Sequence, residues 1–284
     1  MQTTHSATRS RRLPEGYCLL PQRLSGDLLA QLDAECQRLT DKASAILQHI
    51  QGQTYSEFYA RGSEHFVAVP EADNPLQTCR FEYISASSDF IKNQIVPLCA
   101  QAIREKIGSE VLLFKDKCNL KSPGGGAFTP HQDIPAYIDF GPKVHITAAV
   151  FLDDATAENG ALEMASNLTE LQGQGLQYVD TPLGPLPILA TAVGGKNNGR
   201  IVEHLEQQLH WLPVYAKAGD IILFDSYIPH RSATNHSTAT RRAFFFTFNL
   251  SEEGNCYETY YQSKRADFGN LRFHVATPTA HNGM

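Results

Sequence analysis

The sequence predicts a mainly β protein, an antiparallel barrel or double-sheet jelly roll, with a helical layer on its N-terminal side. Three observations predict it. Before residue 110, two stretches carry apolar residues at helical spacing. After it come short apolar runs, VLLFKDKCNLK, KVHITAAVFLDD, GALEMA, GDIILFDSY and RRAFFFTFNL, broken by Gly, Pro, Asn and Asp. Neither an internal repeat nor a linker interrupts the 284 residues, which fits a single domain over 15–284 with its β core at about 110–250.

The opening MQTTHSATRSRR is acid-free and lacks an apolar face, so residues 1–14 are expected as a flexible tail rather than a transit peptide. From Ser25 to about Leu47, the residues Leu28, Leu29, Leu32, Cys36 and Leu39 form a helical stripe behind a serine cap. A second helix follows Ser88, with Ile91, Ile95, Cys99, Ile103 and Ile107 as its stripe and Pro97 expected to kink or divide it. In LLFKDKCNLK, strand alternation puts Lys115, Lys117, Asn119 and Lys121 on one face and Phe114, Cys118 and Leu120 on the other. The polar face is either a solvated edge or an inner wall. Asn159-Gly160 reads as a hairpin turn. The Gly-, Pro- and Asn-rich stretch at about 168–211 is too long for a tight turn and reads as a lid loop across a barrel mouth.

A net charge of -6 and a pI near 6.0 argue against nucleic acid or an anionic membrane as partner and toward a small molecule. No apolar run approaches the roughly 20 residues of a membrane helix. The six cysteines are scattered without a C-x-x-C pair, so neither a disulfide scaffold nor a thiolate zinc site is expected. A reducing, cytoplasmic setting fits, with the chain a monomer or homodimer.

The chemistry concentrates in two stretches. In SPGGGAFTPHQDIPAY, His131 and Asp133 are two apart, which on a strand points both side chains to one face. That pair alone serves zinc, iron and purely structural settings. AGDIILFDSYIPHRSATNHSTATRRAFFF adds His230 at the end of an apolar strand and Arg241 on the next. Two histidines and a carboxylate with open positions form the facial triad of non-haem Fe(II) oxygenases. A guanidinium inside the barrel suits the far carboxylate of 2-oxoglutarate. A zinc hydrolase built on the same three residues leaves Arg241 without a role. A non-catalytic jelly-roll binding protein is the third reading.

HQD, ENGALE, AGDIILFDSYIPHRSATN and the arginine eleven residues after the distal histidine together resemble the phytanoyl-CoA dioxygenase family of Fe(II)/2-oxoglutarate oxygenases, over roughly Val111 to Leu250. LFKDKCNLKSPGGG and YYQSKRADF are similar to its small-molecule hydroxylases, including those acting on organophosphonates. The resemblance implies a cupin-like double-stranded β-helix. It implies Fe(II) held by His131, Asp133 and His230, 2-oxoglutarate held by Arg241 with Ser232, and Lys115 and Asn119 near that co-substrate. O₂ would then oxidise a C–H bond of a small organic molecule. An Asp oxygen completing the ligand set favours hydroxylation over halogenation, while desaturation and ring rearrangement share the same ligands.

Lys117 and Tyr137 are candidates for the substrate pocket. Secondary-metabolite tailoring is the leading expectation and organophosphonate hydroxylation the alternative. The lean toward an apolar substrate rests on the lid sequence TPLGPLPILATAV, and it requires Lys115 or Lys117 to turn to solvent or to pair with Asp116 or Asp225. His145 is expected as a hydrogen-bonded structural residue, Arg242 as a surface residue, and Arg200 as either a substrate contact or solvated.

Overall fold

The protein is described here from a computed structural model covering residues 12–270, except 51, 63, 72–73, 172–175 and 195–196. The expected tail lies outside the described residues up to position 11, but Leu13 is buried. The chain begins with β1 (Tyr17–Leu20), α1 (Gly26–His49), α2 (Tyr55–Arg61), β2 (Val67–Pro70), β3 (Thr78–Glu82) and α3 (Val96–Ile107). The strands β4 (Val111–Lys121), β5 (Phe128–His131), β6 (His145–Phe151) and β7 (Leu162–Ala165) follow. Next come β8 (Leu176–Thr181), β9 (Gly184–Leu189), α4 (Glu203–Glu206) and β10 (Trp211–Val214). The last elements are β11 (Ile221–Asp225), β12 (His230–Ser232), β13 (Arg241–Leu250) and α5 (Tyr257–Ala266).

Two antiparallel sheets result, one in the order β1-β11-β6-β13-β4-β3-β2 and the other in the order β10-β7-β12-β5. This is the predicted double-sheet architecture. The large sheet is wider than the predicted core, because β1, β2 and β3 come from the region read as helical. Along β13, Phe244, Phe246 and Phe248 face α1 and α3, while Ala243 and Phe245 face the small sheet. The period of two thus splits the core into a helix-facing and an inter-sheet layer.

Both predicted helices form for the expected reasons. Ser25 caps α1, its side chain accepting from the Leu28 N–H at 3.3 Å. Ahead of α3, the Ser88 hydroxyl accepts from Ile91 N–H, and residues Ile91–Ile95 form a π turn. Pro97 divides the segment as expected, sitting in the first turn of α3 where its missing N–H costs nothing. The stripe Ile91, Ile95, Cys99, Ile103 and Ile107 is wholly buried, each isoleucine stabilising by about 1.5–3 kcal/mol. Gly108, at φ 68°, ends the helix in the left-handed region.

Three expectations need correction. The register of β13 against β4 slips between Thr247 and Phe248, where Phe114 is the extra residue. The bulge takes Phe114 off the face of Cys118 and Leu120 and packs it with Tyr137, Tyr260 and His145. Asn159-Gly160 does turn the chain, but it links β6 of one sheet to β7 of the other, so no hairpin forms. The stretch at 168–211 is not a plain loop. It holds the two-stranded ribbon of β8 and β9 and the short α4, over an apolar cluster of Leu171, Leu189, Ile201, Leu205 and Leu209.

Asp116 is the hub that ties α5 to the sheet. Its carboxylate accepts from the Ile84 and Ser85 amides at 2.9 and 2.8 Å, from the Ser85 hydroxyl and from Tyr257. Asp116→Ala strands those buried donors and is expected to destabilise the fold by about 3 kcal/mol, measurable as a lower midpoint in urea denaturation.

Candidate metal centre and co-substrate cavity

The centre is built where β5 and β12 pair. His131 lies opposite His230 in their antiparallel register, which brings the ring centroids to 4.2 Å. β5 ends at His131, so strand alternation is not what aims Asp133. Asp133 instead opens a tight helical turn at φ -79°, ψ -30°, and its N–H donates to the Ser226 carbonyl at 3.1 Å. From there Asp133 Oδ1 reaches 3.8 Å from His131 Nε2. One donor atom from each of His131, Asp133 and His230 lies within 4.8 Å of the others, close enough to share one metal ion.

Each imidazole is oriented by its own strand. His131 Nδ1 is 2.7 Å from the Thr129 carbonyl and His230 Nδ1 is 3.1 Å from the Ile228 carbonyl. An Nδ1–H donated to each carbonyl leaves both Nε2 lone pairs for a metal. Burial, and then His230, push His131 down to about 3. His230 is lowered as well, chiefly by burial. Burial alone would raise Asp133, but His230, Lys117 and His131 outweigh it and bring the carboxyl to about 2. At neutral pH the set is two neutral imidazoles and one carboxylate, the protonation state a divalent cation needs.

Gln132, between the two β5-side donors, points the opposite way. Its side-chain N–H groups donate to the Pro187 and Tyr227 carbonyls, and its oxygen accepts from Leu189 N–H at 2.8 Å. It thereby fastens the base of the β8–β9 ribbon beside the centre. Leu186 adds an apolar contact with Ile134 and Tyr227.

A cavity opens from the three donors toward Arg241, lined also by Lys117, Asn119, Ser232 and Thr247. Arg241 is 2% exposed, and its Nε and one terminal nitrogen have no hydrogen-bond partner among the described residues. Burial lowers it to about 10. Asn119 Oδ1 is likewise unpartnered. A buried guanidinium with unused donors needs an anion, and a carboxylate supplies it. The donor set and this cation therefore fit a metal ion with a keto-acid co-substrate.

Sequence reasoning brought most of these residues together, but not all. Lys115 does not line this cavity. It lies over the Tyr137 and Tyr260 rings at 5.2 and 5.3 Å, and Tyr137 is a core residue of that aromatic cluster. Neither lysine turns to solvent or pairs with Asp116 or Asp225. Asp116 serves the hub above, and Asp225 caps the turn before His230 by accepting from Tyr227 and Ile228 N–H, both at 2.9 Å. His145 is structural, yet neither ring nitrogen has a hydrogen-bond partner among the described residues. It is packed against Phe114 and Tyr137, and burial lowers it to about 3. Arg242 does point away from Arg241, as strand parity required. It is half-buried rather than free at the surface, paired with Asp153 at 2.8 Å and Asp33 at 2.6 Å. Arg200 pairs with Glu206 at 2.9 Å. Lys121 and Thr147 were missed as site residues. Lys121 continues the i, i+2 series of Lys117 and Asn119, which was the available signal.

The phytanoyl-CoA dioxygenase family profile matches residues 14–243. Methylphosphonate hydroxylase of Gimesia maris is 32% identical over 260 residues, covering 90% of this chain and 85% of the relative. A 2-aminoethylphosphonate dioxygenase from an uncultured bacterium is 37% identical over 175 residues, 60% of each chain. Among solved structures, EctD from S. alaskensis with 2-oxoglutarate and 5-hydroxyectoine shares the fold, with a TM-score of 0.61 at 19% identity over 89% of this chain and 77% of that one. No helix among the described residues is long and apolar enough to cross a membrane. Fold, donor set and profile agree: the chain belongs to the phytanoyl-CoA dioxygenase family and is a non-haem iron, 2-oxoglutarate-dependent dioxygenase.

Proposed function

We propose that the protein hydroxylates a small organophosphonate, with Lys117 as the anchor for the substrate's anionic group. In this reading His131, Asp133 and His230 hold Fe(II), and Arg241, Ser232 and Asn119 hold 2-oxoglutarate. When bound, Fe(II) and 2-oxoglutarate would supply the activation of O₂, with one oxygen atom going into the substrate C–H bond and the other into succinate as CO₂ leaves. The remaining work is done by the chain. Arg241 supplies charge-assisted donors to the distal carboxylate, and the His131–Thr129 and His230–Ile228 contacts keep the rings from rotating. Phe245 and Phe224 line the cavity with apolar surface that keeps water from the reacting centre.

The observation that carries the substrate class is Lys117. It lines the cavity beside Asp133, lies 5.2 Å above the Phe245 ring, and makes no ion pair among the described residues. Asp133 is the only acid among the described lining residues, and a metal ion would occupy it. A second anion would balance Lys117, and the two phosphonate-acting relatives support that chemistry. The lid no longer favours an apolar substrate, since its Leu186 and Leu189 are spent on packing within the protein. The six free thiols suit a reducing cytoplasmic setting.

A panel of methylphosphonate, 2-aminoethylphosphonate and aromatic or terpenoid scaffolds, scored by succinate release and product mass, tests the class. Turnover confined to the neutral scaffolds overturns it. Burial, and then Lys115, lower Lys117 to about 8. Its ammonium is present below that value and lost above it, so the substrate KM is expected to rise as pH climbs through about 8. Lys117→Met should raise that KM about tenfold or more, abolish its pH dependence, and leave 2-oxoglutarate affinity unchanged.

A further inference from the structure

We propose that Lys121 is a positioning residue of the co-substrate pocket, acting through Ser232 to make that hydroxyl a donor to the distal carboxylate of 2-oxoglutarate. The inference rests on the reading of Arg241 and Ser232 given above. Lys121 ends β4 and is 3% exposed. Its ammonium donates to Ser232 Oγ at 2.7 Å and also to the Ala233 carbonyl. Once Ser232 Oγ accepts from a cation, its own O–H is left to donate, and Ser232 lines the cavity together with Arg241. Without Lys121 the hydroxyl is free to rotate and to offer a lone pair instead.

Two further observations show that this arrangement is built. Lys121 and Arg241 are direct cross-strand partners, both buried, and burial and then Arg241 lower Lys121 to about 7. Like charges so placed repel unless an anion sits between or beside them. Glu71 offsets part of the repulsion at Lys121 and Asp153 part of it at Arg241, yet two guanidinium nitrogens of Arg241 have no hydrogen-bond partner among the described residues. A carboxylate bound by Arg241 and Ser232 relieves both cations at once. The second observation is Gly160, at φ +71°. A Cβ there would stand 2.2 Å from the Ala233 carbonyl and 2.9 Å from Lys121 Nζ. The glycine of the ENGALE stretch thus lets the turn close over the Lys121–Ala233 contact, where any side chain would pry it apart.

The test is a double-mutant cycle read by equilibrium binding. 2-Oxoglutarate is titrated calorimetrically into Mn(II)-loaded protein, for wild type, Lys121→Met, Ser232→Ala and the double variant, with Arg241→Ala as control. Lys121→Met should weaken binding about tenfold in the wild-type background. It should change binding less than about twofold in the Ser232→Ala background, because its route is already gone. Equal weakening in both backgrounds means that Lys121 acts without Ser232 and overturns the proposal, as does no weakening in either. If Lys121→Met does not fold, Lys121→Leu, which likewise cannot donate, replaces it in the same cycle, with the same outcomes decisive. Unchanged binding in Arg241→Ala refutes the pocket assignment itself, whereas a loss there with none in Lys121→Met refutes only the role of Lys121.

Discussion

His131→Ala, Asp133→Ala and His230→Ala are each expected to abolish turnover while leaving the thermal unfolding of the metal-free protein close to wild type. The three donor atoms share one space of less than 5 Å, so losing any one leaves two donors and an incomplete face. The fold should not suffer, because removing one buried neutral imidazole or a charged carboxylate from the cluster relieves desolvation as much as it removes contacts. Anaerobic titration with Fe(II) and then 2-oxoglutarate gives the direct readout. The weak visible charge-transfer band expected of wild type should vanish in all three variants. Full activity in any two of them would falsify the centre. A zinc hydrolase or a binding protein with this fold would show no such band even as wild type.

Arg241→Ala is expected to raise the apparent constant for 2-oxoglutarate by about 10- to 100-fold, since it removes charge-assisted hydrogen bonds of about 1.5–3 kcal/mol from a buried site. The adjacent arginine is the internal control. Arg242 sits on the opposite face and binds Asp153 and Asp33. Arg242→Ala should leave 2-oxoglutarate binding alone and lower the melting temperature instead. The two effects are measured separately, by initial rates against 2-oxoglutarate and by thermal denaturation. A reversed pattern would mean that the strand register is off by one.

The parts of this site that were legible in the sequence are those where residue type and chemistry are tied together. A His-x-Asp pair, a distal histidine and an arginine eleven residues on leave few chemistries, whatever the local backbone does. The local backbone was the less legible part. Asp133 reaches the centre from a helical turn rather than a strand, and the outcome agrees with strand parity only because the turn happens to aim it back. Phe114 changed faces because a single bulge resets the alternation, and no residue in LLFKDK announces it. The β8–β9 ribbon was hidden by Pro185 and Pro187, which read as loop residues. In a ribbon of two strands each strand is an edge, so a proline that donates nothing is tolerated there. Lys121 was legible as a member of the polar face of β4 but its role was not, because its partners Ser232, Ala233 and Gly160 arrive from distant segments that only the tertiary fold brings together.

The attachment of the ribbon bears on which of its residues are tied to the centre. Gln132 holds the ribbon at its base, through Pro187 and Leu189, while the far end turns at Thr181 to Gly184 and is closed by contacts of its own. Residues added or lost at that tip change the reach of the ribbon without moving the backbone between His131 and Asp133. A change at 186–189 would pull on that backbone directly. The ribbon is therefore pinned to the chemistry at one end, so a change at its base is felt at the metal donors before a change at its tip is.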